Sequence, residues 1–270
     1  MSAVTKAVIL ARGLGSRMRR EDRASTLNAS QRAIADTGMK AMIPIARPFL
    51  DYVLSALADA GFRAACLVIG PEHQAIRDYY ASLRTQRIRI GFAVQADPSG
   101  TADAVLAAET FAAGEPFVVL NSDNYYPVAA LAALREQRPP ALLGFSAGAL
   151  ERQGNLSLAR IAGFPVLITA TDGSLERLVD GAESAALQAQ GDYRVSMNCW
   201  LFDSRVFNAC RQIERSRSGE LELPEAVRYL IRDRTTRFKV IGVDAPVLDL
   251  TSRADVAIVA ERLRDVAVCL

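Results

Sequence analysis

Short, almost wholly apolar runs recur along the chain, separated by amphipathic stretches. Residues 7–10, 64–69, 117–120, 141–145, 195–202 and 238–243 are brief and rich in branched side chains, so they are expected to be strands. Several lack polar alternation, as strands buried on both faces do. Residues 87–94 alternate more openly. Between these runs lie helical patterns at residues 48–59, 73–83, 101–110, 129–137, 204–215 and 223–232, with a last helix reaching about residue 264. Pro48 opens the first of them, Leu50, Val53, Leu54 and Leu57 share one face, and Gly61 closes it. Ser252 with Asp255 three residues on marks the start of the last helix. Strand and helix alternate from end to end, which predicts an α/β fold with a mostly parallel sheet covered on both faces. Two stretches break the pattern. Residues 19–37 are polar without a period and read as a mobile loop or short helix over a site. Residues 156–192 are irregular, with a hairpin signal at Thr171-Asp172-Gly173. With no repeat or Pro/Gly/Ser linker, residues 1–270 read as one domain.

The first strand runs into Val8-Ile9-Leu10-Ala11-Arg12-Gly13-Leu14-Gly15-Ser16-Arg17-Met18. Glycines let a backbone approach a ligand closely, and N–H groups in such a turn suit phosphate oxygens. Arg17 adds a fixed planar charge. The strand at residues 117–120 delivers Asn121-Ser122-Asp123-Asn124 to the carboxyl edge of the sheet, where open α/β sheets bind ligands. Val247-Leu248-Asp249-Leu250 brings a second isolated carboxylate.

Composition narrows the chemistry. Half the residues are hydrophobic, 23% are charged and the net charge is +2, so neither nucleic acid nor an anionic membrane is called for. No apolar run is long enough to span a bilayer, and the amino terminus lacks a signal-peptide pattern, so a cytoplasmic location is expected. Cys66, Cys199, Cys210 and Cys269 are scattered, which argues against disulfides or a zinc site; Cys66 and Cys199 fall in strands as small hydrophobes. His73 is the single histidine, expected on a solvated surface at a helix start. Histidine-based triads and multi-histidine metal sites are thereby excluded.

Leu-Ala-x-Gly-x-Gly-x-Arg-Met resembles the signature of the nucleotidyltransferases that activate sugar phosphates, and further segments are similar to that family in the same order. They are Lys40 in Lys-Ala-Met-Ile-Pro-Ile, Gln95 with Pro98-x-Gly100-Thr101-Ala102-x-Ala104, and Asp123 in Asn-Ser-Asp-Asn. Asn198 in Met-Asn-Cys-Trp, Gly219-Glu220-Leu221-Glu222 and Asp249 in Val-Leu-Asp-Leu follow. The resemblance implies a three-layer, Rossmann-like fold of glycosyltransferase-A type with a mixed, mostly parallel central sheet. It implies transfer of a nucleotidyl group from a nucleoside triphosphate, UTP or dTTP by preference, to a sugar 1-phosphate, with release of pyrophosphate. In that scheme Arg17 and Lys40 neutralise the triphosphate. Leu10, Ala11, Gly13, Gly15, Gln95, Gly100 and Thr101 hold the nucleotide, Asn198 and Glu220 meet the acceptor, and Asp123 and Asp249 bind Mg²⁺. The attacking phosphate is already ionised, so the chemistry needs no histidine base. A homo-oligomer is compatible with all of this.

Each residue also has a plain structural reading. Asp123 and Asp249 would be turn residues, Lys40 a solvated charge, Gln95 and Thr101 turn and cap residues, and Trp200, Tyr125 and Tyr126 packing groups. The chain departs from the family in three places: Arg12 replaces a small residue, the 19–37 segment is long, and the Glu-Lys-Pro motif for the sugar phosphate is missing. Residues 177–182 stand there instead, without a lysine. The triphosphate side thus matches better than the acceptor side. Three other readings stay open: a cytidylyl-type transferase with a non-sugar acceptor such as phosphocholine, a metal-dependent glycosyltransferase, and a non-catalytic nucleotide-binding protein.

Overall fold

A computed structural model describes residues 3–22, 25–189, 191–216, 218–232 and 236–270. Among these, the apolar runs become the strands of one mixed sheet. They are β1 (Lys6–Leu10), β2 (Ala64–Ile69), β3 (Arg89–Val94), β4 (Phe117–Asn121), β6 (Ala141–Ser146), β9 (Arg194–Phe202) and β10 (Lys239–Val243), in the order β10-β6-β9-β4-β1-β2-β3. β1, β2, β3 and β4 pair in parallel, as do β6 and β10, while β9 runs antiparallel between β4 and β6. β7 (Val166–Thr169) and β8 (Leu175–Val179) form the hairpin signalled by Thr171-Asp172-Gly173 and join the sheet through β9. A separate two-stranded ribbon pairs β5 (Asn124–Tyr125) with β11 (Leu248–Asp249).

Strand periodicity sends alternate side chains to opposite faces. In β1, Ala7 and Ile9 enter one apolar cluster and Val8 the other. The first cluster packs the helices Phe49–Asp59 and Arg253–Leu263, the second the helices Thr101–Ala107, Arg205–Gln212 and Leu223–Arg232. Trp200 and Tyr126 are fully buried, as packing groups. Burial pushes the Cys66 thiol up to about 12 and raises Cys199 further, so both are inert hydrophobes.

The 19–37 stretch takes the second of its two readings, a short helix: its described residues end in Ala29–Thr37, with a complete capping box between Asn28 and Gln31. Arg23 and Ala24 lie outside the described residues. His73 is not on a solvated surface; it is 8% exposed, and its Nδ1 accepts a hydrogen bond from the Gly70 N–H at 3.2 Å. Helices Ala147–Gln153 and Gly181–Gln188 carry no clear apolar period and are new from the structure.

Candidate active site

The parallel register places the loops after β1, β3 and β4 at one edge. Leu10 lies opposite Asn121 and Val68, and Ile69 opposite Val94, so the glycine loop, Gln95 and Asp123 emerge side by side. Two adjoining cavities open there. One, of about 190 Å³, is lined by Leu10, Ala11, Gly13, Lys40, Thr101 and Asp123 among others. The second, of about 120 Å³, is lined by Leu10, Arg12, Gly13, Gln95, Gly100 and Glu220 among others. Gly15 holds φ +62°, and a Cβ there would stand 2.1 Å from the Gly38 carbonyl oxygen, so the loop and the helix Ala29–Thr37 meet backbone to backbone.

The two carboxylates come together through the small ribbon. Asp249 pairs with Asn124 in register, and the Leu250 N–H donates to the Asp123 carbonyl at 2.8 Å. Asn155 fixes Asp249 from the other side: its amide donates to the Asp249 carbonyl at 2.7 Å and accepts from the Asp249 N–H at 2.8 Å. Asn124 Nδ2 donates to the Asp249 carboxylate at 3.1 Å. Burial, and then the neighbouring Asp123 charge, raise the Asp249 carboxyl above the usual range. Each carboxylate carries one cation: Lys40 ion-pairs Asp123, and Arg160 ion-pairs Asp249.

Arg160 had no signal in the sequence, because it stands in a four-residue helix (Leu158–Ile161) inside the irregular 156–192 stretch. Its Nη1 donates to Asp255 Oδ1 at 2.7 Å, while Asp255 Oδ2 accepts the Ser252 N–H and hydroxyl in the expected capping box. The neighbouring Arg253 is buried; its Nε donates to the Met18 carbonyl at 2.9 Å and its Nη2 pairs with Asp36. The start of this one helix therefore braces the glycine-loop segment with Arg253 and the Asp249 side with Asp255.

The other candidate residues fall as follows. Gln95 is buried, and its Nε2 donates to the Gly100 carbonyl at 3.0 Å and to Asp103 at 2.8 Å, which leaves its carbonyl oxygen free among the described residues. Thr101 Oγ1 accepts the Leu223 N–H at 2.8 Å, and Gly100 is clasped by Leu221. Arg17 is exposed on the helix Ser16–Arg19 and lines neither cavity. Asn198 sits at φ +56° within an irregularity of the β6–β9 ladder and also lines neither cavity. Glu220, expected beside the acceptor with Asn198, instead lines the Gln95 cavity.

Arg12 points aside from the glycine loop. Its Nε and Nη2 pair with the Glu72 carboxylate at 3.1 and 3.3 Å, which holds Glu72 below the usual carboxylate range. Its Nη1 is the one buried side-chain polar atom without a partner among the described residues.

No group of three or more His, Cys, Asp or Glu residues could hold a metal ion among the described residues. The Asp123–Asp249 pair nevertheless fits a hard divalent cation, which takes oxygen donors and completes its shell with water and phosphate. No described helix is long and apolar enough to cross a membrane.

Comparison with known proteins agrees with this architecture. The nucleotidyl transferase family model matches residues 6–250, and the chain belongs to that family. Glucose-1-phosphate thymidylyltransferase of Streptomyces griseus is 26% identical over 242 residues, which cover 88% of this chain and 60% of that protein. The UTP–glucose-1-phosphate uridylyltransferase AglF of Haloferax volcanii is 23% identical over 261 residues, 96% of this chain and 97% of that protein. The chain spans about three fifths of the length of several curated relatives it matches and nearly all of AglF. A crystal structure of UDP-glucose pyrophosphorylase complexed with UDP-glucose superposes with a TM-score of 0.71 at 15% identity, over 97% of this chain and 98% of that one. That likeness establishes the mixed, mostly parallel α/β nucleotidyltransferase fold.

Proposed function

We propose that residues 1–270 act as one nucleotidyltransferase domain that transfers a nucleotidyl group from a nucleoside triphosphate to a sugar 1-phosphate. The observation that carries this reading is the meeting of Asp123 and Asp249 across the β5–β11 ribbon, beside the glycine loop and Lys40. An acceptor phosphate oxygen forms a bond to the α-phosphorus, the bond to the β-phosphate oxygen breaks, and pyrophosphate leaves.

The residues divide the work by charge and position. The glycine-loop backbone of Gly13 and Gly15 receives the triphosphate, with Arg17 closing over it from the exposed helix end. Lys40, now on Asp123, is placed to meet phosphate oxygens in the same cavity. Asp123 and Asp249 would hold Mg²⁺, which supplies charge neutralisation at the reacting phosphates. Gln95 reads the base. Its amide nitrogen is committed to two acceptors, so its free carbonyl suits the imide N–H of uracil or thymine and not the unprotonated N3 of cytosine. This supports UTP or dTTP as donor, in line with the names of the relatives.

The test is pyrophosphate release from purified protein with Mg²⁺, a panel of UTP, dTTP, CTP, ATP and GTP, and a panel of sugar 1-phosphates and phosphocholine. The reading expects turnover with UTP or dTTP and a sugar 1-phosphate, lost when Mg²⁺ is chelated. Turnover only with CTP and phosphocholine would overturn the acceptor and base assignments. Binding of a triphosphate without any pyrophosphate would overturn the reaction itself.

A further inference from the structure

The carboxylate pair carries two cations on two sides. Lys40 lines the glycine-loop cavity, so it serves the triphosphate. Arg160 lines neither nucleotide-side cavity. Its helix neighbours Leu158, Ala159 and Ala162 line a separate cavity of about 910 Å³ together with Arg152 and Arg194. Arg160 is not itself in the lining of that cavity; it reaches Asp249 from outside the glycine-loop and Gln95 cavities.

Lysine is scarce in this chain, being present only at positions 6, 40 and 239. Lys6 is tied at the amino end of β1 to Glu115 and to the carbonyls of Phe111 and Ala112. Lys239 begins β10, at the sheet edge opposite the site. A second cation at the carboxylate pair has to be an arginine, and Arg160 is the one in contact with it.

We infer that Arg160 binds the phosphate of the acceptor. A guanidinium offers five N–H donors in a planar fork, suited to two oxygens of one phosphate. Asp249 and Asp255 take one donor each, which leaves three N–H groups of Arg160 free among the described residues. A quarter of its side chain is exposed. The fork is also held in place: Asp255 is fixed by Ser252 and Thr251, and Asp249 by Asn155. Arg160 thereby supplies the acceptor-side charge that residues 177–182 lack. This assignment rests on the nucleotidyl-transfer reading.

The experiment measures KM for glucose 1-phosphate and for the nucleoside triphosphate separately in wild type, Arg160→Gln and Arg160→Lys, with calorimetric binding of glucose 1-phosphate in Mg²⁺ alongside. Losing charge-assisted hydrogen bonds to a phosphate should raise the acceptor KM and weaken acceptor binding by about 10- to 100-fold in Arg160→Gln. The triphosphate KM should stay within about twofold of wild type, since the other phosphates keep Lys40 and the loop. Arg160→Lys keeps the charge without the fork and should fall between. It also carries the test if the glutamine variant does not fold. Equal changes in both KM values, or none, in an active protein would overturn the role of Arg160 alone. A wild-type protein that forms no pyrophosphate with any acceptor would overturn the nucleotidyl-transfer reading and this assignment with it.

Discussion

The glycine-loop half of the site and the proposed acceptor half around Asp249 are built by different means. In the first, β1, β2, β3 and β4 are parallel, so each apolar strand delivers its next residues to the same edge. Leu10, Gln95 and Asp123 all sit at or just past the end of such a strand. In the second, a four-residue helix, a two-residue strand and the start of the helix Arg253–Leu263 supply the pieces. Arg160 and Asn155 reach Asp249 through side chains, from 89 and 94 positions away. A parallel sheet organises function by register, whereas the other half relies on individual long-range contacts. The two halves should therefore respond differently to substitution.

They meet at the carboxylates, where the largest effect is expected. Asp123→Asn should lower kcat by about 10²- to 10³-fold or more, the loss typical of one electrostatic group at a reacting centre. Pyrophosphate release reads this, with a melting curve to show that the fold persists. A rate equal to wild type would remove Asp123 from the chemistry. Away from the meeting point, Lys40→Ala should raise the triphosphate KM by about 10- to 100-fold and leave the acceptor KM within about twofold. This is the mirror image of the Arg160 variants. If Lys40→Ala moved both constants equally, the division into halves would be wrong.

Two glycines sharpen the same contrast in stability. Gly15 at φ +62° faces the Gly38 backbone, while Gly173 at φ +77° in the β7–β8 hairpin faces open space. Gly173→Ala should cost only the left-handed strain, about 1 to 2 kcal/mol. Gly15→Ala adds a clash that no side chain can relieve and should cost at least about 1 kcal/mol more, read as the larger drop in melting temperature. Equal drops would mean that the loop does not need its close approach to residue 38.

Much of this was legible in the sequence because apolar runs, glycines and caps are local signals. The strand at residues 117–120 announces Asp123, and Ser252 with Asp255 announces a helix start. Sequence does not show what a cap residue does with its second oxygen, so the Asp255–Arg160 contact was invisible. Residues 19–37 left loop and short helix open because the buried face of the helix Ala29–Thr37 is narrow, with Ala35 its one fully buried residue, and an alanine barely registers in a hydrophobic period. Glu220 was assigned to the acceptor by its order in the chain. The 219–223 segment folds back on Ser99, Gly100 and Thr101, so it belongs to the Gln95 cavity. His73 was read as a polar residue beside a helix start, with no local sign that a backbone N–H would claim its ring.

That histidine yields the smallest effect, confined to the glycine-loop half. Its Nδ1 accepts the Gly70 N–H, so the ring is neutral there with its proton on Nε2. Burial lowers its pKa below the ordinary value of about 6.5, with the charges of Arg12 and Arg19 acting in the same direction and Glu72 opposing. On acidification the unfolded chain binds the proton first. Stability from this residue is therefore complete above about pH 6.5 and falls as the pH drops toward the lowered folded value. Between pH 7.5 and 5.5 the loss is at most about 1.4 kcal/mol for one group. His73→Gln has no such titration and should lose less melting temperature over that interval than wild type. Parallel melting curves for wild type and His73→Gln would show that the acid-sensitive contact lies elsewhere.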